Sequence, residues 1–525
     1  MPQILKDRDH VASVAYEGRL HLVHAVTPCR SLTLQLSSTS NTWRRALRFT
    51  AALFLASCGP AADNQNPRIS DQDRELGAEQ HPALLAEFGG AYPGRQADYV
   101  AAVGEKLAVS ADLEEQCTFT LVNSDVVNAF AVPGCYIYVT RGMLALVNSE
   151  AELASVLGHE LGHIAAAHAQ RQEQRSLWRT LAVLAVSLTG SERLTQIAGQ
   201  AAQFFGLRYS RKQEYDADDF GIRVLKAAGY DPYAAGDMLA ALGRNEAYIM
   251  ASGGHDEARA IPEWVRSHPL TENRIERAHE EAVKTGLKDN ELPEHEQALL
   301  GAVRGLLYGD DPEQGFVEGR RFAHPVMLIA FEAPPGFTLT NSPQAVGLAG
   351  PDDARGEFAG GPLPPDGLEG YANTLIGQIL GEARAQAQVG PAKRVRTNGL
   401  PSLFVPVRVA TQQGALRLDI AIYATRGGRA YHFVLVGPAT RPSSASAALF
   451  RSFRLLTPAE VATLHARYIQ VVKVKLGDTA ARLASAMASD RGEALFTMLN
   501  GLDPEAKLRP GTPVKLVRRS THGVE

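Results

Sequence analysis

Ser149-Glu150-Ala151-Glu152-Leu153-Ala154-Ser155-Val156-Leu157-Gly158-His159-Glu160-Leu161-Gly162-His163 places two histidines four residues apart inside an apolar run. Leu153, Val156 and Leu157 before them, and Ile164 with a group of alanines after them, suit a buried helix. Ser149 followed by Glu152 has the spacing of a capping box at its start. Positions four apart share a helix face, so His159 and His163 can direct ring nitrogens at one metal ion. Glu160 lies one residue round from the first histidine, where it can take a proton from an attacking water. The competing reading is a buried helix with two hydrogen-bonded histidines and no metal.

A chain of 525 residues has room for two to four domains with large cores. Its charged fraction of 21% and formal net charge of −4 argue against a nucleic-acid partner, which needs a basic surface. Four cysteines are too few for a disulfide scaffold.

The start of the chain reads as a targeting segment. Arg44, Arg45 and Arg48 precede the apolar run Phe49 to Ala56, which ends in Leu55-Ala56-Ser57-Cys58-Gly59. That ending resembles a bacterial lipobox, in which the cysteine is lipidated and becomes the new N-terminus. An ordinary signal peptide or a short membrane anchor are the alternatives. Gly59 in place of Asp implies the outer membrane, as in lipoproteins generally. Residues 1–57 are therefore taken as an over-extended start plus signal, and 58–72 as a tether. No later run reaches the roughly 18 apolar residues that spanning needs. The nearest, Leu181 to Leu188 between Arg179 and Glu192, reads as a core helix.

The remainder reads as an α+β multidomain protein. Residues 73–310 are helix-rich with a small sheet, including strands at Thr118 to Val122 and Cys135 to Thr140. Cys117 and Cys135 fall on those two strands and are expected to pair in an oxidising envelope. Residues 322–456 form an α+β domain of unknown role. Its strands are expected at Met327 to Phe331, Leu403 to Val409, Leu416 to Tyr423 and Tyr431 to Val436. A Gly/Pro/Asp-rich loop is expected over Gly347 to Gly370, and a helix near Tyr371 to Gln386. Residues 468–517 read as strand, two helices and strand, with Gly477-Asp478-Thr479, Asn500 and Pro510-Gly511 at the turns.

A catalytic zinc holds three protein ligands and an open position. Glu214 is the best third ligand, because Asp218 lies four residues on, where it can accept an N–H from a ligating histidine. A solvated acidic helix face is the alternative, and Asp216 and Asp219 support it. His168 sits about 140° round a helix from His163, which points away from the same ion.

Four patterns in one order resemble the HtpX-like and BepA-like zinc metallopeptidases, a gluzincin family. They are Asn128-Ala129-Phe130-Ala131-Val132-Pro133-Gly134, the H-E-x-x-H, Ser210 to Gly221, and Ser267-His268-Pro269 before Arg274. The resemblance covers about residues 120 to 280 and implies a mainly helical zincin-type peptidase domain. It implies one zinc per chain on His159, His163 and Glu214, proteolysis, and misfolded or unassembled envelope proteins as substrates. It further implies that the strand of Asn128, Phe130 and Pro133 pairs with an extended substrate. Cys135 departs from the family, which has a second glycine there, and the absence of spanning runs favours the periplasmic BepA-like branch.

Residues 468–517 resemble LysM, a peptidoglycan-binding module, although Ala480 stands where LysM has Leu. A small packing domain is the alternative. His268 and Arg274 are candidates to stabilise an oxyanion. Given the family resemblance, His268, before Pro269, is expected near the zinc, with a fourth-ligand, latent role favoured in a resting structure; a purely structural residue is the alternative. Two other classes of function remain open: a zinc-bearing chaperone or scaffold, and a wall-binding protein with a secondary peptidase domain. The intact Glu160 favours the enzyme. If the lipobox reading holds, Cys58→Ala abolishes incorporation of a fatty-acid probe, and wild-type labelling of that variant refutes it.

Overall fold

The computed structural model describes residues 69–168, 209–251, 263–270, 272–352, 354–411, 414–439, 444–503 and 505–520. Cys58, the basic and apolar residues before it, and Leu181 to Leu188 lie outside the described residues. Among the described residues no helix is long and apolar enough to cross a membrane.

Ser70 caps α1 (Asp71–Glu87) by accepting from the Asp73 amide. The chain turns after α1 at Gly89, Gly90 and Gly94, which take φ of 80°, 90° and 92°. Helical structure resumes as α2 (Arg95–Ser110). A three-stranded sheet follows: β1 (Thr118–Val122), β2 (Ala129–Val132) and β3 (Tyr136–Thr140), in the order β1-β3-β2. β1 runs parallel to β3, and β2 antiparallel to it. Cys117 and Cys135 are disulfide-bonded as expected, with Cα atoms 4.6 Å apart. Cys135 closes the β2–β3 turn at φ 62°, a conformation in which glycine is unstrained. The bridge between Ala91 and Val122 covers the outer edge of β1. Among the described residues no strand pairs with the outer edge of β2.

Helices α3 (Arg141–Leu146) and α4 (Glu150–Ala165) pack against this sheet, and α5 (Arg211–Ala227), α6 (Ala234–Met250), α7 (Glu263–Ser267), α8 (Glu272–Lys284) and α9 (Glu296–Val303) join the same core. The two-residue strand β4 (Leu307–Tyr308) ends the region.

The middle of the chain is mostly sheet. Small strands β5 (Phe316–Glu318), β6 (Arg321–His324) and β7 (Ile329–Glu332) lead to β8 (Thr338–Asn341), β9 (Val346–Ala349) and β10 (Arg355–Pro362). After α10 (Gly367–Leu380) come β11 (Ala387–Val389), β12 (Lys393–Thr397), β13 (Leu400–Thr411), β14 (Gly414–Ala424) and β15 (Arg429–Pro438). The main sheet has the order β11-β13-β14-β15-β10-β9-β8, with β12 on β13. Leu375 and Ile376 of α10 fill one face with Val405 and Ile420. On the other face, Phe331, Phe450 of α11 (Ser444–Ser452) and Phe453 just after it surround Phe433.

Two expectations fail here. Gly347 to Gly370 is not a loop, because β10 pairs with β15 over eight positions, from Arg355↔Val436 to Pro362↔Arg429. Its glycines answer a packing need: a Cβ on Gly360 would meet the Tyr431 ring at 2.6 Å. Met327 and Leu328 lie in the β6–β7 turn rather than on a strand, and both are exposed.

The short β16 (Arg454–Leu455) and α12 (Pro458–Val461) lead into β17 (Ala466–Lys473), α13 (Ala480–Ala484), α14 (Gly492–Leu499) and β18 (Pro513–Ser520). This is the expected strand, two helices and strand. It does not stand apart from the helical region. β17 pairs with both β18 and β4, and Ile469, Leu495, Phe496 and Leu516 join the core that holds Leu153 and Leu157 of α4. Lys515 is fully buried, and its Nζ donates to the carbonyls of Ala145, Leu146 and Val147 at 2.9, 3.2 and 2.9 Å. Three ammonium protons thus satisfy three carbonyls at the end of α3, just before α4 begins. Lys515→Met is expected to cost about 3 kcal/mol or more, because those carbonyls stay buried without donors. An unfolding free energy from denaturant titration within about 1 kcal/mol of wild type would show the contact to be dispensable.

Candidate metal centre

Ser149 starts α4 by accepting from the Glu152 amide at 3.0 Å. Glu152 reaches back one residue further than a capping box requires, to the Asn148 amide at 2.7 Å. α5 begins with a complete capping box between Ser210 and Gln213. The two helices touch backbone to backbone. A Cβ on Gly162 would lie 2.9 Å from Ala217 Cα, and one on Gly221 would lie 3.1 Å from the His159 amide nitrogen. Small residues four apart on each helix permit this approach and carry Glu214, one turn before Asp218, up to the two histidines. Asp216 is exposed beside Lys212, and Asp219 pairs with Arg277, so the acidic helix is solvated on one face and buried on the other.

His159, His163, Glu214 and His268 are all buried and offer one ligand atom each, all within 4.8 Å of one another. His159 Nε2 lies 3.1 Å from His163 Nε2 and 3.2 Å from His268 Nδ1. Glu214 Oε1 lies 3.0 Å from His268 Nδ1 and 3.6 Å from His163 Nε2. Tetrahedral ligands bound at about 2.0–2.1 Å stand roughly 3.3 Å apart. The spacing fits one small cation. So does the chemistry, since converging lone pairs repel unless a positive charge lies among them.

His159 Nδ1 donates to Asp218 Oδ1 at 2.8 Å, which leaves Nε2 as the lone-pair nitrogen. Arg274 holds Asp218 through Nε at 2.7 Å and Nη2 at 2.8 Å, and its Nη1 lies 2.7 Å from Glu214 Oε2. Burial alone would raise both carboxyls. For Asp218 the guanidinium and His159 outweigh it, and for Glu214 His268 and Arg274 do, so both are held below their ordinary values. Arg274, a candidate oxyanion donor from sequence, is thus turned towards the two carboxylates.

His268 follows α7, and its amide donates to the Trp264 carbonyl at 2.8 Å. Its ring stacks on Trp264 with centroids 4.8 Å apart. Glu160 Oε1 is buried without a hydrogen-bond partner and lies 3.7 Å from His268 Nε2. Burial pushes the Glu160 carboxyl up to about 7 against the opposing pull of His159. His168 lies outside the cluster, and its Nδ1 is 3.0 Å from His163 Nδ1, behind the ring. Sequence reasoning missed Trp264 and Tyr209. Tyr209 sets its ring 4.0 Å from that of His163, and its amide donates to Ser267 O. The i, i+4 spacing of Trp264 and His268 was a usable signal for the first; none marked the second.

β2 lies against α4. Asn128, at its start, is buried with Oδ1 unpartnered. Phe130 stacks on Tyr138 at 4.7 Å, and Pro133 begins the turn that Gly134 and Cys135 complete.

Residues 94–282, which contain all of these groups from Asn128 to Arg274, match Peptidase family M48. The chain carries an M48 peptidase domain. The beta-barrel assembly-enhancing protease of Yersinia pestis is 28% identical over 256 residues, covering 46% of this chain and 50% of that protein. The mitochondrial metalloendopeptidase OMA1 of Arabidopsis thaliana is 34% identical over 154 residues, 29% of each chain. The chain therefore spans half or less of the length of these relatives. Among solved structures, cyanobacterial PsbP from Synechocystis sp. PCC 6803 is 14% identical with a TM-score of 0.22, over 28% of this chain and 98% of that one. So slight a likeness carries no argument.

The M48 domain depends on the contact between α4 and α5. Gly162→Val is expected to cost about 1–3 kcal/mol through overpacking and to draw Glu214 away from the histidines. Zinc titration of the purified variant tests this, and wild-type affinity would contradict it.

Proposed function

We propose that the chain is a zinc-dependent metalloendopeptidase of the bacterial cell envelope that cuts misfolded or unassembled envelope proteins. The observation that carries this reading is the convergence of three ring nitrogens and a carboxylate at tetrahedral spacing beside an unpartnered Glu160 oxygen. The match to Peptidase family M48 supports it, and the name of the Yersinia relative points to the envelope. Anchoring at the outer membrane through lipid on Cys58, and contact with peptidoglycan through residues 468–517, rest on sequence patterns alone and belong to the same proposal.

His159, His163 and Glu214 would hold one zinc, which when bound lowers the pKa of water and polarises a carbonyl. Glu160 takes the proton of the attacking water and passes it to the leaving amine. Its buried carboxylate suits that exchange, because no other hydrogen bond competes for Oε1. Asp218 and Arg274 act by orientation, one fixing the tautomer of His159 and the other clamping Asp218 and Glu214. The free edge of β2 would take the substrate backbone as an added strand.

His268 occupies the fourth corner in this arrangement. A fourth protein ligand closes a site, so this is the latent state, and turnover requires His268 to leave. Its place on the segment after the short α7 makes such a movement local.

Two variants test the assignment. Glu160→Gln keeps zinc and loses casein cleavage, since an amide cannot accept the proton; unchanged turnover rules out this base. His268→Ala keeps zinc and raises cleavage if the histidine closes the site. A fall of roughly 10²-fold would instead assign it to the oxyanion.

A further inference from the structure

Away from the metal centre, a cavity of about 200 Å³ lies where α6, α3 and β4 meet the C-terminal β17–β18 segment. It shares no lining residue with the metal centre. One wall is rich in hydrogen-bond donors. Arg141, buried to 1% exposure, spends Nε on Asn123 Oδ1 and Nη1 on the Leu307 carbonyl. Asn245, 3% exposed, has its Nδ2 buried with no hydrogen-bond partner. The Arg467 guanidinium makes no hydrogen bond or ion pair among the described residues and lies 5.7 Å from the centre of the Tyr308 ring. Gly309, at φ 73°, leaves room for it, since a Cβ there would collide with Nη2. Leu495 and Met498 of α14 add apolar lining. Asp125 is exposed and lines the cavity as well.

A buried amide nitrogen without a partner and an unpaired guanidinium call for an acceptor that carries negative charge. Asp125, Asp310 and Asp311 act on Arg141, and Asp310 acts on Arg467 as well, so the surrounding carboxylates disfavour a doubly charged phosphate. The volume is that of roughly seven waters, enough for one apolar residue with its carboxylate. We propose that this cavity binds the C-terminal residue of a peptide chain. The carboxylate sits on Arg467 and Asn245, the apolar side chain on the α14 wall, and the terminal peptide N–H faces Asp125.

One helix borders both this cavity and the metal centre. Met238, Leu239 and Leu242 of α6 line the space beside His159, and Asn245 and Tyr248 continue the stripe into the cavity. The site would therefore read chain ends of the kind that peptide hydrolysis releases, although it rests on the cavity and not on that activity.

Calorimetric titration of the full-length zinc-loaded chain with acetyl-Ala-Leu, and with its C-terminal amide, tests the proposal. The Glu160→Gln background prevents turnover of the probe. The acid is expected to bind saturably, and both the amide and the Arg467→Gln variant to bind at least about tenfold more weakly. Met498→Trp, which fills the cavity from its apolar side, is expected to abolish binding and stands in should Arg467→Gln fail to fold. Chelating the zinc should leave binding unchanged, which separates this site from the metal centre. Equal binding of acid and amide, retention in both variants, loss on chelation, or inorganic phosphate binding as tightly as the peptide acid would each overturn it. Casein cleavage, scored separately, bears only on the peptidase reading.

Discussion

The close contact between α4 and α5 is the constraint on which the metal centre depends. Side chains of ordinary size hold helices about 8–10 Å apart, which would leave the carboxylate of one helix short of the histidines of the other. Gly158 and Gly162 on α4 face Ala217 and Gly221 on α5 with almost no side chain between them. That approach is what allows Glu214 to stand 3.6 Å from His163 Nε2 while both remain on rigid helices. The loss of a few apolar contacts at the crossing is offset by the surrounding core of Leu153, Leu157 and Leu225.

The second constraint is electrostatic. Two carboxylates and three histidines share one buried volume, and a buried carboxylate is costly unless it is paired. Arg274 answers both at once, bidentate to Asp218 and in contact with Glu214. The pairing also orders the site, because Asp218 then fixes which nitrogen of His159 carries the proton. Glu160, a third buried acid beside them, receives no such clamp. Its Oε1 has no partner, and the price of its burial is a carboxyl pushed up towards neutrality.

The C-terminal segment changes the sense of the domain division. Read along the chain, residues 468–517 look like a separate module after a middle domain. In three dimensions β17 completes a sheet with β4, and the buried Lys515 closes the end of α3 directly before the metal-bearing helix. The strands from β6 to β15 build cores of their own, while the segments before and after them share one.

Local rules made much of this legible from residues alone. The i, i+4 histidines, the cap at Ser149, the i, i+4 pair Glu214 and Asp218, and the cysteines just before two neighbouring strands follow from spacing, since 3.6 and 2 residues per repeat decide which side chains share a face. Composition misled where long-range packing overrode it. The glycines of β10 look like a loop, but they are there to let the Tyr431 ring and β15 approach. What only the tertiary structure decided are the relations between distant segments. These are the placement of His268 and Tyr209 over His163, the turning of Arg274 to two carboxylates, and the union of β17 with β4. Each joins groups that are far apart along the chain, and no local periodicity encodes a contact of that kind. The sequence by itself therefore determined which residues have the chemistry to hold a metal and move a proton, while the packing of α4 on α5 decided that they meet.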